Sequence, residues 1–544
     1  MLKLYEKPFC LSEEEVKWVE QEKKILTTDQ KIGQLFCVMG GDYSMQELTE
    51  MVREKGVGAV LYRPEPCASI QAKFSVLDEA APVPLLHAAN LEEGSAGGIS
   101  DGTYFGWPMA AGATDNPDIV RKFARSTAVE GRRAGIDWTF SPVSDLTINF
   151  LNPITAVRSY GSDKDRVCRF TRIFTEEVQK CGVAACAKHF PGDGVDFRDH
   201  HLHPTYNSLS ADEWYDSYGK IYQNLIDGGI LSFMVGHIVQ PEVEMRKNPK
   251  LKFEDCLPGS LSRELMTDVL REEFGFNGVI TTDATIMGGY CMSMERKKAI
   301  PQTIMAGADM IVFNTDFTED YGYMKQAYEN GSLTPERLDE AVTRILALKA
   351  VVRRQYILPQ IDSQAWQKEC AEQAVTLVKN RQKILPVKPE QFPKIRLILL
   401  GTDEIRDGKI SDIASKYLQQ CGFETEIYDP YRDDLHGSSG LSQDQVTLYL
   451  ANYETASNQT TVRINWCPKH ALDSPRFVNE EKYIFISFGN PFLLMDIPRV
   501  KTYINAYSAT RALIEAALDK VIGKDEFRGT SPVDAFCGLP DTRL

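Results

Sequence analysis

One stretch gathers most of the chemistry this sequence can offer. The chain has eight histidines. Four of them, His189, His200, His201 and His203, fall within AKHFPGDGVDFRDHHLHP, residues 187–204. Lys188 and His189 end an apolar run, and Gly192 and Gly194 loosen the loop that follows, whose start Pro191 shapes. Asp199 and His201 stand two apart, so in extended backbone their side chains share a face. The carboxylate can then hydrogen-bond the imidazole, orient it, favour its cationic form and make it a general acid/base near neutral pH. Two plainer readings compete: a solvated polar loop, or a metal site on His201 and His203.

The second signal is Asp283, in GVITTDATIMGG. An apolar strand-like run ends there in one carboxylate flanked by small residues. Asp before a helix is a common N-cap. The chemical reading is a nucleophile or base that projects into a pocket.

The elements that must position these groups alternate strand-like and helix-like over the first two-thirds of the chain. Short apolar runs predict strands at 35–40, 56–62, 84–90, 138–143, 183–190, 231–237, 278–284 and 309–314. Continuous apolar runs suit parallel strands buried on both faces. Helical patterns separate most of them, including 116–134, stopped by Gly135, and 261–273, capped by Ser260 and stopped by Gly275. Eight β/α units predict a TIM (β/α)8 barrel, with an open doubly wound sheet as the rival. Barrel enzymes carry their chemistry at the C-terminal strand ends. Here those ends are Met39, Arg63, Asn90, Asp145, Lys188 with His189, His237, Asp283 and Asn314.

The barrel, with an N-terminal helical extension, is expected over 1–355. A helix over 334–353 closes it, and a linker over 356–372 contains Pro359. A smaller α/β sandwich domain is expected over 373–544. Its strands are expected at 395–401, 424–428, 461–466, 483–489 and 502–506, with a helix over 411–421. His87 reads as buried and hydrogen-bonded, His436 and His470 as surface or structural, and Asp145 as an organiser of its loop.

Composition bounds the function. The chain is 43% hydrophobic and 25% charged, which is globular rather than disordered. A net charge of −15 disfavours nucleic acid as a partner. The N-terminal residues lack the pattern of a signal peptide, and no apolar run spans a bilayer, so a cytoplasmic enzyme without a membrane partner is expected. The twelve cysteines show no CxxC pair and read as buried hydrophobes.

At these residues the chain resembles glycoside hydrolase family 3, in its β-N-acetylglucosaminidase branch. That branch carries KHFPGHG, four residues, then D-x-H. This sequence has KHFPGDG at 188–194, then VDFR, then Asp199-His200-His201. Thr282-Asp283-Ala284 matches the family's nucleophile strand. The stretches 140–161, with its Arg158-Ser159-Tyr160-Gly161, 258–280, 306–313 and 374–387 resemble other parts of the family.

The resemblance implies an exo-acting, retaining β-N-acetylhexosaminidase, with N-acetylglucosamine as the leading sugar. Asp283 would form a covalent glycosyl-enzyme. His201, held by Asp199, would protonate the leaving oxygen and then activate water. Lys188, His189, Arg158, Asn90 and His237 would contact the substrate, a short amino-sugar oligosaccharide. For His237 that expectation rests on its strand-end position, and for Asn90 on its standing where the family has an Asp that binds the outer sugar hydroxyls. No metal and no organic cofactor is implied, and a homodimer is an open option. An imidazolium escapes the like-charge penalty that a second carboxylate would meet beside Asp283. The sequence departs from the family where Asn90 replaces the usual Asp of the third strand, where the arginines after it are missing, and at Asp193. The alternatives are a β-glucosidase-like or phosphorolytic relative with another sugar preference, a metal-dependent hydrolase on His201 and His203, and a non-catalytic sugar binder.

Overall fold

The computed structural model describes residues 2–428, 444–466 and 473–544. They form two compact units. The first comprises Met1–Tyr104, Arg121–Asn149 and Val167–Asp362; the second comprises Phe105–Val120, Phe150–Arg166 and Ser363–Leu544.

The first unit is a closed barrel of eight parallel strands. These are β1 (Phe36–Met39), β2 (Ala59–Leu61), β3 (Leu86–Ala89), β4 (Trp138–Thr139), β5 (Ala184–Phe190), β6 (Ser232–Val235), β7 (Val279–Ala284) and β8 (Met310–Val312). Each neighbours the next in chain order, and β1 closes on β8 with Phe36 opposite Ile311. Every residue of β3 and of β5 is buried, as strands covered on both faces require. The barrel expectation holds, and the open-sheet rival does not.

Helices between the strands obey their local signals. Ser12 and Glu15 make a reciprocal capping box at the start of Glu13–Ile25. Thr334 caps Pro335–Val352. Gly135 closes the helix Pro117–Arg133 with φ +91°. The expected helix at 261–273 is wound as a π-helix over Glu264–Glu273, and its start differs from expectation. Ser262, not Ser260, caps it by accepting from the Leu265 N–H at 3.2 Å. Ser260 is engaged elsewhere, as shown below. His87 is buried, and its Nδ1 donates to the Gly135 carbonyl at 3.0 Å.

The second unit holds a six-stranded sheet. Its strands are β9 (Thr376–Asn380), β10 (Lys394–Gly401), β11 (Glu424–Ile427), β12 (Gln445–Asn452), β13 (Tyr483–Ser487) and β14 (Thr502–Asn505), in the order β9-β14-β13-β12-β10-β11. Only the β9–β14 pair is antiparallel. Alternate residues feed two cores. Leu448 and Leu450 enter one; Tyr449 and Ala451 enter the other. The sheet is therefore covered on both faces, as in a sandwich.

Three expectations change here. The stretch 461–466 is not a strand. Its polar backbone groups are satisfied by side chains instead: Asp496 accepts from the Ile464 N–H at 3.1 Å, and Asn490 donates to the Val462 carbonyl. The sequence reading missed β9 and β12. Segments 105–120 and 150–166, read as barrel, belong to the second unit, where Met109, Ala110, Ala113 and Val157 join its first core. The helix Ser363–Ala374 occupies much of the stretch expected as a linker. His436 and His470 lie outside the described residues. No described helix is long and apolar enough to cross a membrane.

Candidate active site

Asp283 stands at the C-terminal end of β7, mostly enclosed, with Oδ1 accepting from the Ala284 N–H at 2.7 Å. Its Oδ2 faces two imidazoles, His189 Nε2 at 3.7 Å and His200 Nε2 at 3.8 Å. Burial alone would raise the Asp283 carboxyl. The imidazoles set around it, His189 foremost, outweigh that and hold it well below the usual carboxylate range. Asp283 is thus kept ionised, and it caps no helix through its side chain.

His189 comes from β5, where the register with β6 shifts between Ala187 and Phe190. Such a bulge re-aims side chains at a strand end. Asp145 fixes the ring. Its Oδ2 accepts from His189 Nδ1 at 2.7 Å, so the imidazole presents Nε2 to Asp283. The same carboxylate accepts from the N–H groups of His189 and Asp193. Asp145 therefore ties the end of β5 and the loop after it, where the sequence reading had it organise its own loop after β4. Lys188 is buried beside Glu92, with Nζ 2.6 Å from Oε1, and donates to Asn90 Oδ1 at 3.1 Å. The sequence reading left Glu92 out of its site residues; its partner is distant in sequence and becomes visible only in the fold.

The histidine loop is stapled down rather than solvated. Asp196 accepts from the N–H groups of Arg198 and Tyr206 and pairs with the Arg198 guanidinium at 2.7 Å. Asn207 donates to the Gly192 carbonyl at 3.0 Å. Thr205–Tyr206 pairs with Ile238–Val239 just after β6. Two glycines beyond Asp283 dock the loop: Gly288 N–H donates to the His201 carbonyl at 2.7 Å, and Gly289 N–H to the His200 carbonyl at 3.2 Å. A Cβ at Gly289 would lie 2.5 Å from the His200 oxygen, so close approach requires glycine there.

The expected dyad forms within this loop. Asp199 is fully buried, and its Oδ1 accepts from both His201 Nδ1, at 2.7 Å, and the His201 backbone N–H, at 2.8 Å. A carboxylate only accepts, so Nδ1 carries a proton and Nε2 is the atom free to exchange one. The His201 side chain is 20% exposed, which leaves that atom reachable. An ionised carboxylate beside an oriented imidazole can attack a carbon centre and handle the leaving group's proton.

His237 corrects an expectation. It is fully enclosed; Nδ1 accepts from Ser260 Oγ at 2.8 Å and Nε2 donates to the Ala284 carbonyl at 2.9 Å. Burial lowers it to about 4, so the ring stays neutral. With both nitrogens occupied it cannot bind a sugar, and it instead fixes the backbone next to Asp283. Arg158 belongs to the second unit, on a single turn, Ala156–Arg158, and donates to the Ile154 carbonyl at 3.3 Å. Among the described residues, ligand atoms close enough to share an ion occur in His189–His200–Asp283 and in Asp199–His200–His201. His203 is in neither group, which removes the support for a His201–His203 metal pair.

Comparison with known proteins finds relatives of the chain. The sequence pattern described as the glycosyl hydrolase family 3 N terminal domain matches residues 27–348. A Cellulomonas fimi protein described as a beta-N-acetylglucosaminidase/beta-glucosidase is 38% identical over the whole of both chains. The solved structure of beta-glucoside phosphorylase BglX bound to 2FGlc is 40% identical, with a TM-score of 0.92 over 98% of this chain and 99% of that one. A beta-hexosaminidase of Bordetella avium is 27% identical over 56% of this chain and 85% of its own.

Proposed function

The chain belongs to glycosyl hydrolase family 3, and from that membership we propose that it is a retaining, exo-acting enzyme for terminal β-N-acetylglucosaminides and β-glucosides. Asp283 attacks the anomeric carbon and forms a glycosyl ester. His201 Nε2–H, with Nδ1–H held by Asp199, protonates the departing oxygen. The neutral ring then takes a proton from the incoming acceptor, which releases the sugar with retained configuration. Many retaining enzymes use two carboxyls about 5–5.5 Å apart. Here a carboxylate-supported imidazole takes the second place. The observation that carries the reading is the Asp199–His201 hydrogen bond, on a loop whose backbone is tied to Gly288 and Gly289 just beyond Asp283.

His189 Nε2 and Lys188 Nζ serve the sugar hydroxyls. Asn90, an amide, offers a donor where a carboxylate would only accept. That change alters the hydroxyl pattern the site can accept; glucose is named beside N-acetylglucosamine because the Cellulomonas fimi relative is described with both activities.

A second reading concerns the acceptor. The likeness to a beta-glucoside phosphorylase over almost the full length of both chains favours phosphate in place of water. A neutral or cationic imidazole repels an anionic acceptor less than a carboxylate would. One assay addresses both questions. Aryl β-glycosides of N-acetylglucosamine, N-acetylgalactosamine, glucose and xylose are offered to wild type and Asp283→Ala, with and without inorganic phosphate and without added metal. The account expects cleavage of the first or third sugar that disappears in Asp283→Ala. Sugar 1-phosphate as the product identifies phosphorolysis; free sugar at an unchanged rate identifies hydrolysis. Equal activity in Asp283→Ala contradicts the whole mechanism.

A further inference from the structure

His200, between the two dyad residues in sequence order, is the one site histidine with neither ring nitrogen hydrogen-bonded among the described residues. It is fully buried. Leaving a buried polar group unpaired is unfavourable, a penalty an apolar residue of similar shape would avoid. The backbone is anchored while the ring is only bounded by its neighbours. Gly289 ties its backbone carbonyl, and the rings of His189 and His201 meet it edge-on at centroid distances of 5.2 and 5.0 Å.

The His200 ring nitrogen Nε2 lies between two carboxylates, 3.7 Å from Asp193 Oδ2 and 3.8 Å from Asp283 Oδ2. A hydrogen bond to either needs the ring to move by about 1 Å. Burial, reinforced by the neighbouring His201, keeps His200 neutral, so it brings an N–H rather than a charge. We propose that His200 is a positioning residue whose Nε2–H bonds Asp283 while that carboxylate is free and turns to Asp193 when Asp283 is esterified by the sugar. This rests on the covalent role given to Asp283 above.

The consequence is directional. A donor on the free carboxylate stabilises it. Asp283 then leaves the sugar more readily in the second step and attacks somewhat less readily in the first. His200 favours release over attack, whichever acceptor completes the reaction.

The test separates the two steps in the full-length protein. A 2-deoxy-2-fluoro-β-glucosyl fluoride labels the enzyme at one rate, and the label is released to water or phosphate at another. Wild type is measured first; an adduct absent from Asp283 there overturns the parent reading rather than this one. His200→Phe removes the N–H, and His200→Gln retains an amide N–H. His200→Phe is expected to slow release about tenfold relative to labelling, equivalent to about 1.4 kcal/mol, with labelling itself unchanged or faster. His200→Gln is expected to recover most of that difference. His200→Met supplies the same comparison if the Phe variant does not fold. Equal changes in both rates, or no change in either, overturn the proposal, because a purely structural role would not split the steps.

Discussion

A fully buried carboxylate and a largely enclosed one, at opposite ends of neighbouring barrel strands, show how one fold stores stability at one end and reactivity at the other. Asp309 immediately precedes β8, and Asp283 lies at the C-terminal end of β7. Asp309 is saturated by donors. Oδ2 accepts from Arg271 at 2.5 Å and from the Ile280 N–H at 3.0 Å; Oδ1 accepts from Arg337 at 2.8 Å and Arg344 at 3.3 Å. Burial would raise it, but the three guanidiniums bring it down to about 2. Asp283 has one backbone N–H on Oδ1, and the imidazoles facing Oδ2 stand 3.7 and 3.8 Å away in this structure. Arginine does not give up its proton, whereas imidazole does. The first carboxylate is locked, and the second is held ionised yet available.

The comparison predicts opposite consequences for the two aspartates. Asp283→Ala should lower turnover on the order of 10^4-fold, with the melting temperature little changed. Asp309→Ala should do the reverse. It leaves three guanidiniums without their common anion and should destabilise by about 3–5 kcal/mol in denaturant titration, with kcat of the folded fraction near wild type. A large stability loss in Asp283→Ala, or a large kcat loss in folded Asp309→Ala, would break the contrast.

Smaller effects sharpen it. His201→Ala and Asp199→Asn should each cost about 10^2-fold on poor leaving groups and much less on nitrophenolates, which depart without a proton. A leaving-group series reads this directly. Gly289→Ala should lower activity about tenfold by lifting the histidine loop, because its Cβ would meet the His200 carbonyl and the His237 Cβ at 2.5 and 2.7 Å. A crystal structure of that variant checks the displacement.

The smallest effect concerns pH. His237 is lowered to about 4 from an ordinary 6.5. The unfolded chain takes up this proton near pH 6.5 and the folded chain only near 4, so stability declines as pH falls through that window. His237→Asn should reduce the loss of melting temperature between pH 7 and 4.5 by about a few degrees. Asp309 contributes in the same direction lower down: its stabilisation is full above about pH 4 and fades toward pH 2.

The barrel was legible because parallel strands covered on both faces write themselves as unbroken apolar runs, as in Ala184–Phe190. The second sheet was less so. Its β12, QVTLYLAN, sends Leu448 and Tyr449 into different cores and mixes polar with apolar residues. The decoy at 461–466 has β-branched residues but binds its backbone to Asp496 and Asn490. The dyad and Asp283 could be read from local spacing. Glu92 on Lys188 and Asp145 on His189 could not, because each pair joins strands far apart in the chain. Ser260 looked like a helix cap because Ser precedes a helical pattern; the fold uses it to hold His237, and Ser262 caps. His200 was counted among the clustered histidines but given no role, because its meaning lies in what it fails to touch.

The central claim is that Asp283 carries the sugar. Its most direct test is intact-mass and peptide mass spectrometry of full-length protein inactivated with a 2-deoxy-2-fluoro-β-glycoside. The account predicts one glycosyl unit per chain, on the peptide that contains Asp283, and none in Asp283→Ala. A label on a different carboxylate, or labelling of Asp283→Ala as complete as that of wild type, would contradict it.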